Sequence, residues 1–157
     1  GADIVLDFPA EPAAPESPSA PLLDALGLDR HVEFARNRFD YLVEVESAEI
    51  VRRVSPDMMR LAEIPTRGVV VTARGDDGVH DFVSRWFGPR VGVPEDPVTG
   101  SAHCCLGPWW AERVGRTELR AVQASERGGT MVVRVLGERV ELIGSCARYS
   151  SGRIAIT

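Results

Sequence analysis

The chain has no apolar run approaching the roughly 18 residues that a membrane-spanning helix requires, so a transmembrane helix is not expected. Its first residues, Gly1-Ala2-Asp3-Ile4, carry neither the basic region nor the long apolar stretch of an export signal, and a cytoplasmic location is the expectation. Positive charge is not in excess. Eighteen basic residues stand against 23 acidic ones, a net charge of −5, with the two signs interspersed, which argues against a nucleic-acid surface. Cysteine is scarce and odd in number, at Cys104, Cys105 and Cys146, which reads as free thiols rather than a disulfide framework. Cys104 and Cys105 are adjacent and point to different faces of a helix. No second Cys or His pair stands at ligand spacing to complete a site with His103, so no metal is expected. No repeat with a period of 20–50 residues is present.

What is there suits one domain over residues 1–157. The length allows a full core, and 44% hydrophobic with 26% charged residues is the balance of a soluble globular protein. Ile4-Val5-Leu6-Asp7-Phe8 reads as a strand ended by Pro9. Pro9, Pro12, Pro15, Pro18 and Pro21 then mark an extended connector, short enough to lie against the domain rather than link two. A brief helix is expected at 21–26, between proline and Gly27, followed by strands at 31–35 and 39–45. Helical spacing covers 47–54. A second helix is expected from 55 to 62, with Ser55 as N-cap, Pro56 at its first position and Asp57 in the first turn. The nearly continuous apolar run 68–73 predicts a central strand, while 80–87 fits a strand or a helix. Strands are further expected at 118–123, 130–135, 139–143 and 153–156, with a tight turn at Gly137.

The stretch from Gly100 to about Val114 bears no formal charge until Glu112, so it predicts a helix surrounded by protein. Gly107-Pro108 lies inside it, where a missing backbone bond and a kink are expected. Strands before and after one apolar helix suggest an α+β fold, a curved, barrel-like mixed sheet rolled around that helix. Just upstream runs Glu95-Asp96-Pro97-Val98-Thr99-Gly100-Ser101-Ala102-His103. Thr99 and Ser101 are both good N-cap residues, and Gly100 lets the backbone approach a ligand closely. The first amides of such a helix lack internal partners and favour a carboxylate or an oxyanion. Asp96 lies close enough to be the protonic partner of such a guest. On local chemistry alone, Asp96 and Ser101 equally suit plain capping of a buried helix.

The string Glu95-Asp96-Pro97-Val98-Thr99-Gly100-Ser101-Ala102 resembles the signature of the PhzF-like (phenazine biosynthesis) isomerase family, which shares the fold of diaminopimelate epimerase. Leu6-Asp7-Phe8-Pro9-Ala10, residues 81–89 and Gln123-Ala124-Ser125-Glu126-Arg127-Gly128-Gly129 fit the same family in order. The resemblance spans nearly the whole chain and corresponds to the C-terminal half of a family member. It implies two curved-sheet halves facing each other, with the site in the cleft between their helix N-termini. It also implies a cofactor-free isomerase or epimerase that moves a proton at carbon on a small acidic metabolite.

On this reading Asp96 bonds the substrate or steers the proton, and Gly100 and Ser101 donate from the helix start. Arg127, the only cation of the downstream motif, suits a substrate carboxylate beside Gly128. Gln123, Gly128 and Gly129 also fit a strand end and a bulged turn. Arg85 fits either a substrate carboxylate or a structural acid, and His103 fits packing near the helix better than catalysis. The family's principal acid–base glutamate belongs to the first half, and no glutamate here inherits its role. The expected partners are therefore that N-terminal half and, for an isolated domain with an uncovered apolar face, a second copy in a homodimer; neither nucleic acid nor membrane is expected. The fragment alone is expected to be inactive. The alternative is a stand-alone domain that binds an acidic metabolite or a protein partner without turnover.

Overall fold

A computed structural model of the chain describes residues 3–147, 149–153 and 155. In chain order the strands are β1 (Asp3–Pro9), β2 (Ala14–Pro15), β3 (Glu33–Arg36), β4 (Asp40–Glu44), β5 (Gly68–Arg74) and β6 (Phe82–Phe87). They continue with β7 (Glu118–Gln123), β8 (Gly129–Leu136) and β9 (Arg139–Ser145). The helices are α1 (Ala20–Leu26), α2 (Ala48–Arg53), α3 (Met58–Glu63) and α4 (Gly100–Val114). The strand expected at 153–156 falls on Ile154 and Ile156, which lie outside the described residues.

Strand β5 is buried from Gly68 to Ala73 and almost continuously apolar there, because both of its faces are covered. Val69, Val71 and Ala73 pack into a core shared with α1, α2 and α3, whereas Val70 points into a second core around α4. Strand β6 follows the same alternation, with Val83 and Phe87 in the first core and Phe82 and Trp86 in the second. This two-sided burial makes 82–87 a strand. In β7 only one face is buried, so Leu119, Ala121 and Gln123 point inward while Glu118 and Arg120 meet solvent.

Two helix starts show how local chemistry sets boundaries. Ser47 caps α2, its Oγ accepting from the Ile50 amide at 3.3 Å. Helix α3 does not begin behind Ser55. Asp57 is its N-cap and accepts from the amides of Met59 and Arg60 at 3.0 and 3.1 Å. The residue before a proline is pushed toward extended backbone, so Ser55 cannot readily open the helix, and Asp57 is an equally strong cap two residues on.

All nine strands join one mixed sheet in the order β1-β9-β8-β7-β6-β5-β4-β3-β2. The β4–β5 and β6–β7 pairs are parallel and the others antiparallel. The two outermost strands are consecutive in the chain, separated only by residues 10–13. A flat sheet of this size would place its edges roughly 38 Å apart, from strand spacings of about 4.8 Å. The connector can span at most roughly 18 Å from Pro9 to Ala14. The sheet must therefore curl until its edges approach each other. Along the connector Ala10 N donates to Glu138 O at 2.8 Å and Glu11 N to Cys104 O at 3.0 Å, so the proline-rich stretch is laid against the domain.

Helix α4 fills the second core. Residues 102–107 are buried without interruption, so its first half has no solvent-facing side. Leu119, Val133, Val140 and Leu142 from β7, β8 and β9 share its cluster, as do Leu42, Val70 and Phe82 from the other half of the sheet. A Cβ on Gly107 would lie 2.8 Å from Val133 Cγ1, which explains a glycine in mid-helix. The helix continues through Pro108 to Val114.

Candidate active site

The signature loop is held in place before it reaches α4. Arg85 grips the Glu95 carboxylate with two bonds, Nε to Oε1 at 2.6 Å and Nη2 to Oε2 at 2.9 Å. Its Nη1 also donates to the Val54 carbonyl at 2.6 Å, at the C-terminal end of α2. Arg85 is thus the partner of a structural acid and a helix end. One residue on, the Asp96 amide donates to the Trp86 carbonyl at 3.2 Å.

The loop then converges on Thr99, the N-cap residue of α4. Thr99 Oγ1 donates to Asp96 Oδ2 at 2.5 Å, and Thr99 N donates to Gln123 Oε1 at 2.8 Å. Gln123 Nε2 donates to Asp96 O at 2.6 Å and to Thr99 Oγ1 at 3.1 Å. The Thr99 carbonyl accepts from His103 Nδ1 at 2.8 Å. With its hydroxyl turned to Asp96, Thr99 makes no side-chain cap on the helix. Ser101 is not the cap residue either, since it lies inside the first turn beside Gly100. The first amides of α4 therefore meet no capping side chain, the arrangement that suits an anion.

Gly100, at the start of α4, lines a groove of about 620 Å³ whose walls also include Val98, Met131 and Leu142 and the edge-strand residues Ile4 and Leu6. Among the described residues no charged side chain lines it. Ile4 and Leu6 are 45% and 52% exposed, on a strand that meets solvent along its whole length. An apolar surface thus stands bare beside the signature loop.

The downstream motif buttresses that loop. Ser125 Oγ donates to Pro97 O at 2.8 Å and accepts from Gly128 N at 3.1 Å. Gly128 takes a left-handed conformation with φ of 68°. A Cβ on Gly129 would sit 2.3 Å from Val98 Cγ2, so this residue has to be glycine for the strand to pass the loop. Arg127 is exposed and has no ion-pair partner among the described residues. It lines a different hollow of about 430 Å³, with Glu95, Pro97, Ser125 and Glu126. The fold thus brings Asp96, Gly100, Ser101 and Gly128 around one loop, with Arg127 on a neighbouring concavity.

Burial determines what the remaining polar groups can do. His103 is completely buried, and desolvation holds its pKa down to about 4 against the pull of the Thr99 carbonyl. Its Nε2 has no hydrogen-bond partner among the described residues, which identifies a neutral ring protonated on Nδ1. Burial pushes the Cys104 and Cys105 thiols up to about 11 and about 12, so neither supplies a thiolate. Among the described residues no group of three or more His, Cys, Asp or Glu side chains is placed to hold a metal ion.

Thr99 and Gln123 are the central residues that reading the sequence undervalued, one taken as an ordinary cap and the other as a strand end. The signal was the alternation Leu119, Ala121, Gln123, which sends a polar amide into the core. Ile4 and Leu6, from the apolar run that opens the chain, supply part of the groove's wall.

The chain matches the PhzC-PhzF family, described as phenazine biosynthesis-like protein, over residues 12–152. An uncharacterized isomerase of Halalkalibacterium halodurans is 46% identical over 143 residues, covering 90% of this chain and 53% of that protein. An uncharacterized isomerase of Pseudomonas aeruginosa is 47% identical over 154 residues, covering 98% of this chain and 58% of that protein. The crystal structure of a PhzF-family phenazine biosynthesis protein from Enterococcus faecalis superposes with a TM-score of 0.87 at 35% identity, covering 98% of this chain and 58% of that one. The chain spans little more than half the length of each of these proteins. The family match over residues 12–152 and a likeness extending over nearly every residue lead to one conclusion: this chain belongs to the PhzC-PhzF family of phenazine biosynthesis-like proteins.

Proposed function

We propose that this chain is the C-terminal domain of a cofactor-independent isomerase or epimerase that transfers a proton at carbon on a small acidic metabolite. The observation that carries the reading is the uncapped start of α4, with Asp96 bonded to its N-cap residue and an open apolar groove beside Gly100. The isomerase names of the relatives, and their nearly twofold greater length, support it. In this reading the fold is diaminopimelate epimerase-like, and a second helix-filled half faces the groove and supplies the acid–base glutamate. That residue takes a proton from one carbon and returns it at another position. The amides of Gly100 and Ser101 hold the substrate carboxylate or the developing enolate oxygen, where fixed donors in a dry site are most effective. Asp96, with Oδ2 held by Thr99, hydrogen-bonds the substrate and steers the proton. Arg127, from its adjacent hollow, attracts the substrate's acidic group, and Gly128 shapes the turn that carries it. The buried, unpaired thiols of α4 fit a reducing cytoplasm. The groove, left bare, pairs with a second copy at high concentration.

The test joins this chain to the portion of the Pseudomonas relative that it does not match and incubates the product in D2O with a panel of small unsaturated carboxylates. Deuterium should enter carbon only when both halves are present. Robust incorporation by the 157 residues alone would contradict the assignment of the acid–base group to the other half.

A further inference from the structure

A threonine at an N-cap ordinarily turns its hydroxyl oxygen onto the amide two or three residues on. In Thr99 that oxygen is already occupied. Its proton goes to Asp96 Oδ2 at 2.5 Å, and Gln123 Nε2 donates to it at 3.1 Å. Between the Asp96 carboxylate and the Gln123 amide the hydroxyl is held turned away from the helix, and it makes no cap bond. The same glutamine holds Thr99 N and Asp96 O, at 2.8 and 2.6 Å. Gln123 is 1% exposed and Thr99 7%, so water cannot readily replace these partners.

We propose that Gln123 is a positioning residue that withholds Thr99 from capping α4, and so keeps the amides of Gly100, Ser101 and Ala102 open to a substrate carboxylate. The inference rests on the reading of this helix end as the anion-holding part of the site. Its physical basis is competition for one buried acceptor. If the Gln123 donor is removed, Thr99 Oγ1 accepts from no donor in a buried place and is freed to turn. The nearest replacement donors are the first-turn amides, and the hydroxyl can accept from one of them while still donating to Asp96. Loss of a hydrogen bond from Gln123 therefore closes the helix end. Thr99→Val has no oxygen with which to cap and leaves it open.

The experiment uses the ¹⁵N-labelled 157-residue chain. Amide exchange is measured at Ser101 and Ala102, and acetate is titrated while the Gly100 and Ser101 amide signals are followed. Gln123→Met keeps the side chain's shape and removes its bonds. It should slow exchange at one of the two amides roughly five-fold, the scale of a gained cap. It should weaken the acetate response by about ten-fold, the scale of a lost bond to a charged group. The double variant Gln123→Met/Thr99→Val should restore both, a rescue that a merely structural glutamine would not show. A folded Gln123→Met chain with exchange and acetate response unchanged overturns the proposal. Should Gln123→Met fail to fold, Thr99→Val alone decides: unchanged exchange supports the proposal, and faster exchange means that the hydroxyl caps in solution and overturns it. If acetate moves no signal in the native chain while exchange responds as stated, the anion reading of the site fails and the hold of Gln123 on Thr99 stands.

Discussion

The two ends of helix α4 are built to opposite specifications. At its C-terminal end the side chains of Trp109, Trp110 and Arg113 all have polar partners. Trp109 Nε1 donates to Glu44 Oε2 at 2.8 Å, and Arg113 Nε reaches the same oxygen at 2.9 Å. Arg113 also pairs with Glu33 and lies 3.6 Å over the Trp109 ring. Trp110 Nε1 donates to Thr72 Oγ1 at 3.0 Å, and Gly115 ends the helix in a left-handed conformation, its amide bonded to Ala111 O. A cation in the last turn also complements the helix dipole. At the N-terminal end the natural cap is diverted, no charged side chain among the described residues lines the groove, and the apolar wall is bare. One end is sealed and the other is left open. The difference teaches where to expect losses of stability and where to expect losses of turnover.

The largest effect should come at the open end. In the completed two-half enzyme, Asp96→Asn should lower turnover by a factor on the order of 10²–10⁴, the usual scale of acid–base contributions. The asparagine Oδ1 can still accept from Thr99, so the melting temperature should barely move. A large fall in melting temperature with turnover per folded molecule intact would assign Asp96 to the structure of the loop instead.

The sealed end should answer in the opposite way. Trp110 is 2% exposed and stacks on Phe82 with ring centroids 5.9 Å apart. Trp110→Ala should cost about 3–5 kcal/mol in chemical denaturation, through lost burial and a remaining cavity. Surviving folded enzyme should turn over normally. A selective loss of turnover there would erase the contrast between the two ends.

His103 lies between the ends and sharpens the comparison through pH. Its folded-state pKa of about 4 is below its ordinary 6.5, so between those values the unfolded chain binds a proton that the folded chain refuses. Stability from the neutral ring is present above pH 6.5 and is lost as pH falls toward 4, by on the order of 3 kcal/mol. His103→Asn can keep the donor to the Thr99 carbonyl and does not titrate. Stability measured across this window should therefore fall less steeply for the variant than for the native chain. Equal slopes would mean that His103 takes up its proton in the folded state.

Much of this was readable in the residues themselves. Strand and helix types followed from alternation and from the uncharged run of α4, because burial on one or both faces leaves a local imprint. The proline connector and the Glu-Asp-Pro signature were equally plain, and the family resemblance of that signature pointed at Asp96, Gly100 and Ser101. Long-range contact decided the rest. Whether 82–87 was a strand depended on cores lying to both sides of it, which its own residues do not specify. Arg85 could have met a substrate or an acid, and the fold gave it Glu95 and the end of α2. Thr99 looked like an ordinary cap until Gln123, 24 positions away, helped hold the oxygen that would have capped away from the helix. Local sequence sets which groups can bond and which faces must be buried. Only the curled sheet decides which distant group arrives first, since a hydrogen bond goes to the partner that the backbone brings within reach.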